Sequence, residues 1–303
     1  MSIKDRGIYL ALTTALISGF AVFFNKFAGK LWGDSFVFTT VKNIPVGLAF
    51  LGIILAPKFF SELKALNKKQ WAYLLLIALI GGAIPFLLFF KGLTIASAAN
   101  AAFIHKTLFI WVGVLAVIFL KEKLGWPQVA AFGLLFAGNF ILGGIKGWKF
   151  GAGEALVLVA TLLWSVEYIL AKKALANISS EIVGWARMFF GSVFLILFLA
   201  ATGRADGLLS VSLAQAKWMA LSSLLLFGYV FAWYKALKLE NASLVTCFLV
   251  PASLITTLLN SVFVTGRFTL GQAEVAIFFS VALLLLSKFR SKTNAYEPAA
   301  KTT

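Results

Sequence analysis

Charge is scarce in this chain of 303 residues: Asp, Glu, Lys and Arg make up 13% of it, about half the share of an ordinary soluble domain. That excludes a protein wetted on all sides. Acids are scarcer still, 11 against 27 Lys and Arg. Histidine and cysteine each occur once, as His105 and Cys247, which excludes intrachain disulfides and makes thiolate or imidazole metal sites untenable. No glycine loop followed by Lys and Ser or Thr is present, so the chain encodes no ATP-driven step of its own. Neither a metal nor a cofactor is expected.

Apolar side chains fill the space left by charge. They make up 61% of the residues, and mean hydropathy is +0.96. Ten apolar runs approach the ~20 residues that cross a bilayer: 7–28, 34–56, 71–93, 97–120, 126–146, 152–172, 180–202, 215–237, 241–264 and 271–289. The fold class expected is therefore an all-α integral membrane bundle. Met1 to Arg6 is short and polar, and the run after it reads as a first membrane helix rather than a cleaved leader. The linkers leave no room for a folded domain outside the membrane, so any chemistry belongs inside the bundle.

The net charge of +16 would suggest nucleic acid in a soluble protein. Here the cations lie mostly between the apolar runs, a pattern of membrane topology. With the N-terminus inside, 16 of the 27 cations fall on the cytoplasmic side and eight on the other. Both termini are thus expected in the cytoplasm of a plasma-membrane protein. Trp71, Trp126 and Trp218 each open a run, as headgroup-level anchors do.

An offset near 145 residues lays the second five runs on the first. Lys42 then falls on Arg187, Lys26 on Lys172, Lys91 on Lys235 and Gln128 on Gln272. Five is odd, so the second copy enters from the opposite side, giving two inverted five-helix repeats. They are expected at 7–146 and 152–289, followed by a polar tail at 290–303.

Trp164 with Ser165, the cations Lys42 and Arg187 in the second helices, Pro251, and the run from Leu120 to Leu124 carry a resemblance over residues 7–289. The chain resembles the EamA family of the drug/metabolite transporter superfamily. It departs from that pattern at Ser18, Thr107 and Gly266, which stand opposite Trp164, Pro251 and Glu122. The resemblance implies a central cavity between the halves and alternating-access movement of a small metabolite, often outward.

An ionisable group in hydrocarbon costs ~2.5–3.5 kcal/mol on insertion scales, so each one is a candidate. Lys42, His105 and Lys106 lie eight or nine residues from their outer boundaries, ~12 Å deep at ~1.5 Å per residue. With Asn139 they could line a site for a carboxylate or phosphate. The plainer alternative is lysines that snorkel and a histidine that packs. Glu167 and Arg187 enter from the cytoplasmic side to similar depth, and a structural ion pair is the leading reading. The sharper one is proton coupling, with substrate or Arg187 competing with the proton for Glu167. Trp164 and Tyr168, at i and i+4, could form with Glu167 a wall for an organic cation, the competing ligand. Pro85, with Gly81 and Gly82, and Pro251 are candidate hinges, while Gly133, Ala137 and Asn139 suggest close helix packing.

The function expected is a secondary transporter of an anionic or zwitterionic metabolite, with an organic-cation carrier of the same fold as runner-up. An enzyme acting on lipid-linked substrates would need paired acid and base groups or a metal, and a channel would need a ring of repeated polar residues. Neither pattern occurs. The partners expected are a small-molecule substrate and the bilayer, with no nucleic acid and a homodimer as the one protein candidate.

Overall fold

The computed structural model describes residues 3–96, 98–143 and 150–288. The start of the expected run at 97, the end of the first expected repeat at 146 and the 290–303 tail fall outside them. The elements are α1 (Ile3–Lys30), α2 (Ser35–Ile54), α3 (Pro57–Lys64), α4 (Lys68–Gly82), α5 (Ile84–Ile95), α6 (Ala98–Lys106), α7 (Leu108–Leu120), α8 (Trp126–Gly143), α9 (Ala152–Ala174), α10 (Ser180–Ala201), α11 (Leu213–Leu239), α12 (Ala242–Leu249), α13 (Ala252–Asn260) and α14 (Leu270–Lys288).

Among the described residues ten helices are long and apolar enough to cross a membrane. Three of these are broken. Residues 68–95 hold α4 and α5, 100–120 hold α6 and α7, and 242–265 hold α12, α13 and a π-helical turn at Ser261–Thr265. Two of the breaks fall at the candidate hinges Pro85 and Pro251; the break at Thr107 was not anticipated, nor was α3, which sits in a linker between spans with Pro57 at its start. Proline suits a first helical turn because the N–H it lacks would be unsatisfied there anyway.

The packing follows the duplication. The first helix of each half lies against the third and fourth helices of the other: α1 against α11, α12 and α13, and α9 against α4, α5, α6 and α7. The two second helices, α2 and α10, pair with each other, as do the two fifth helices, α8 and α14. Left-handed residues mark the same repeat, since Lys121 (φ 55°) and Gly266 (φ 65°) stand 145 positions apart. Both turn the chain out of a fourth helix.

The breaks arise differently in the two halves. Pro251 supplies no donor to a carbonyl four residues back, and the chain tightens to a three-residue turn, with Val250 N–H donating to Cys247 O at 3.1 Å. The equivalent residue, Thr107, turns its hydroxyl back on Ile104 O at 2.7 Å, a local bond that competes with the helix ladder. The two fourth helices are thus interrupted at one repeated position.

On the face where α1 begins and α14 ends, hereafter the terminal face, the halves complete each other's helix ends. Glu122 leaves α7 and accepts from Ala242 N–H (2.7 Å), Ser243 N–H (3.2 Å) and the Ser243 hydroxyl at the start of α12. Lys172 Nζ, at the end of α9, donates to Leu237 O and Glu240 O, both at 2.7 Å, where α11 ends. An acid at an N-terminus and a cation at a C-terminus each complement the helix dipole. Glu122→Ala is expected to cost about 1–2 kcal/mol, the usual loss for a deleted cap. Thermal unfolding of the purified protein measures it, and Glu122→Gln should recover part of the loss.

The close packing expected at Gly133 is instead at Gly138. A Cβ on Gly133 would meet nothing within 4 Å, whereas one on Gly138 would lie 2.5 Å from the Phe279 ring of α14. Gly133 points outward on the exposed side of α8.

Candidate functional site

Pro85 organises the middle of the bundle. Lacking an N–H, it cannot claim the carbonyl four residues back, which belongs to Gly81. Gly81 O is therefore open, and two side chains from the second half take it: Trp164 Nε1 donates at 3.1 Å and Arg187 Nη2 at 3.2 Å. Close approach makes this possible, because a Cβ on Gly81 would sit 2.4 Å from Glu167 Cγ. One broken helix of the first half thus gathers three polar residues of α9 and α10.

Glu167 and Arg187 do not form the direct ion pair that the sequence suggested. Among the described residues the ion pairs within 4.0 Å are Arg204 with Asp34 and Lys235 with Glu181. Tyr234 of α11 stands between the expected partners. Its hydroxyl donates to Glu167 Oε1 at 2.7 Å, and the Arg187 guanidinium lies 5.8 Å from its ring centroid. Glu167 Oε2 and Arg187 Nε and Nη1 are buried without hydrogen-bond partners. The two charges enter the middle from the same face, as their depths in the sequence implied, but a phenol intervenes.

Lys42, on α2, is 5% exposed. Its ammonium faces the rings of Phe38 (5.2 Å), Phe86 (5.7 Å) and Phe90 (5.2 Å). Ring faces attract a cation but accept none of its three N–H bonds in the ordinary sense. Among the described residues it forms no ion pair. The cage is continuous with a second aromatic group. Phe86 and Phe89 contact Trp164 at 5.3 and 5.5 Å between centroids, and His105 packs on Phe89 (4.9 Å) and Trp164 (5.1 Å). Lys106 follows His105 at the end of α6 and is half-buried. Trp164 therefore joins the two expected layers, its ring against the Lys42 and His105 side and its N–H on Gly81 O beside Arg187.

Two other candidates lie elsewhere. Asn139 uses its amide within α8 and toward α13, donating to Leu135 O (3.1 Å) and accepting from Ser253 (3.2 Å). It fixes the neighbourhood of the Pro251 break rather than an anion. Tyr168 turns to α11, with its ring 4.5 Å from Trp233 and its hydroxyl 3.3 Å from that of Tyr229. Trp164 and Tyr168 share a helix side but serve different clusters.

Sequence reasoning missed Tyr234, the three phenylalanines around Lys42 and the Gly81 carbonyl. Only the last had a signal: the spacing of four from Gly81 to Pro85 identifies the carbonyl a proline frees.

The molecule is thus a duplicated bundle with buried polar groups gathered at a broken span. Residues 5–144 and 151–288 each match the EamA-like transporter family. The chain belongs to the EamA-like transporter family. An uncharacterized transporter of Archaeoglobus fulgidus is similar to this EamA-like chain, 25% identical over 244 residues, covering 75% of the chain and 83% of the relative. An uncharacterized transporter of Synechocystis is 26% identical over 214 residues, covering 67% of the chain and 60% of the relative's length. A solved protein structure superposes with a TM-score of 0.75 at 17% identity, over 95% of this chain and 99% of that one, a likeness of fold. The EamA-like chain is a multi-pass membrane transporter, and these kinships point away from an enzyme.

Proposed function

We propose that this EamA-like transporter exports a small anionic or zwitterionic metabolite, an amino acid being one fitting class, by alternating access around the Lys42 to Arg187 region. The observation that carries this is Lys42: a buried ammonium held by three phenyl rings, with no carboxylate in an ion pair with it among the described residues. A ligand carboxylate or phosphate would supply the missing charge-assisted acceptor. The inverted halves and the breaks at Ala83, Thr107 and Pro251 support a rocking motion, because such spans bend at a fixed place. His105, Lys106 and Trp164 frame the ligand in this reading, and Glu167 is the group through which a proton gradient would act. The bias of cations to the terminal face supports a plasma-membrane orientation with both termini in the cytoplasm. A homodimer is the assembly proposed.

Proteoliposome uptake and counterflow with amino acids, phosphorylated metabolites and quaternary amines test the proposal. Transport of an anionic or zwitterionic compound is expected, with Lys42→Ala losing roughly 10- to 100-fold, the value of one charged hydrogen bond. Flux confined to quaternary amines and indifferent to Lys42→Ala would sink it. Glu167→Gln should abolish dependence on the pH gradient while exchange continues.

A further inference from the structure

Away from the central region, a pocket of about 310 Å³ opens on the terminal face at the seam of the two halves. The first turns of α4 and the end of α9 build it, so it lies where spanning helices stop, at the depth of lipid headgroups. Lys69 and Lys173 line it together with Asn67, Gln70, Tyr73 and Asn177, and its lining contains no carboxylate. Neither lysine is in an ion pair among the described residues. The nearby carboxylate of Glu62 accepts from Ser179 N–H at 2.7 Å. The capping box of α4 polarises the remainder. Asn67 Oδ1 accepts from Gln70 N–H and Gln70 Oε1 from Asn67 N–H, both at 2.9 Å. Both amides have thereby committed their acceptor ends and keep N–H groups to donate.

A lining of two cations and donor amides selects an anion with several acceptor oxygens, a phosphoryl group above all. The surroundings say what carries it. Leu76, three residues after Tyr73, and Val166, seven before Lys173, are exposed apolar side chains at 42% and 40%. At these spacings each lies on the same helix side as its polar neighbour, one to two turns deeper in the membrane. The pocket thus continues into a surface suited to acyl chains, while Tyr73 has the amphipathic character of an interfacial anchor. We propose that this pocket holds the phosphate headgroup of an anionic phospholipid, which bridges α4 of the first half to α9 of the second. The site is independent of the transported ligand.

The test uses the purified full chain in nonionic detergent, with lipid retention read by native mass spectrometry and stability by thermal unfolding. Phosphatidylglycerol should be retained more strongly than phosphatidylcholine and should raise the unfolding temperature. The Lys69→Ala/Lys173→Ala double variant should lose roughly tenfold or more of that preference, given the worth of each cation near an anionic surface. Its unfolding temperature in phosphatidylcholine should stay that of the parent, which separates ligand loss from misfolding. Equal retention of the two lipids, or undiminished phosphatidylglycerol binding by the double variant, would overturn the proposal. So would inorganic phosphate alone reproducing the stabilisation, which would assign the pocket to a soluble phosphate compound.

Discussion

Gly82→Val is expected to yield no folded protein. Where α4 crosses α10, a Cβ on Gly82 would lie 2.3 Å from Arg187 O and 3.0 Å from Gly191 Cα. The contact is mutual, since a Cβ on Gly191 would lie 2.9 Å from both Gly82 Cα and its carbonyl oxygen. Ordinary overpacking costs about 1–3 kcal/mol because side chains give way. Here both obstacles are backbone, and any shift of α10 moves Arg187 off Gly81 O. Size-exclusion profile and unfolding temperature measure the outcome, and Gly191→Val should behave alike. A Gly82→Val protein as stable as the parent would refute the backbone contact.

Arg187→Met is expected to destabilise by about 3–5 kcal/mol, the usual result of leaving one buried charge without its counterpart. Glu167 would keep the Tyr234 hydroxyl, but Oε2 is already without a partner, and the remaining compensation is the guanidinium across the phenol. Adding Glu167→Gln should therefore restore much of the loss, since a neutral amide needs no counter-charge. Tyr234→Phe should fall between, costing about 1–3 kcal/mol for one unmet buried acceptor. Unfolding temperatures of Arg187→Met, Glu167→Gln and their double variant, each against the parent, give the coupling directly. Additive losses in the double variant would mean that Glu167 and Arg187 act separately, each serving only its own hydrogen bond.

These two sites also divide what could be read in the sequence from what could not. All ten spans were legible because a bilayer demands ~20 apolar residues at a stretch, and such runs need no tertiary knowledge. The repeat was legible because matched cations such as Lys42 and Arg187 are rare inside apolar runs. Breaks within spans were half legible. Pro85 and Pro251 announced theirs, while the break at Thr107 falls at a residue type that continuous helices here also hold, as at Thr40 and Thr161. The Glu167 and Arg187 depths were readable from helical rise, yet Tyr234 was not, because it comes from α11 and its approach depends on how α11 packs between α2, α9 and α10. The same limit hid the phenyl cage, in which α5 brings Phe86 and Phe90 to Lys42 of α2. Gly133 and Gly138 fit a small-residue pattern about equally well, and only the α14 contact distinguishes them.

The reach of Glu122 to the start of α12 spans 120 positions of sequence, and that distance is also a delay. At ~5–20 residues per second of synthesis, the carboxylate emerges roughly 6–24 s before the amides it caps. For most of that interval the five spans of the first half are already made with one carboxylate waiting, and α12 arrives with its end finished only by a residue made long before. A nascent chain stopped before residue 242 would hold five complete first-half spans and still lack the contact that closes them. Maturation is thus tied to the ribosome's progress through the second copy, and the two copies ripen as one unit.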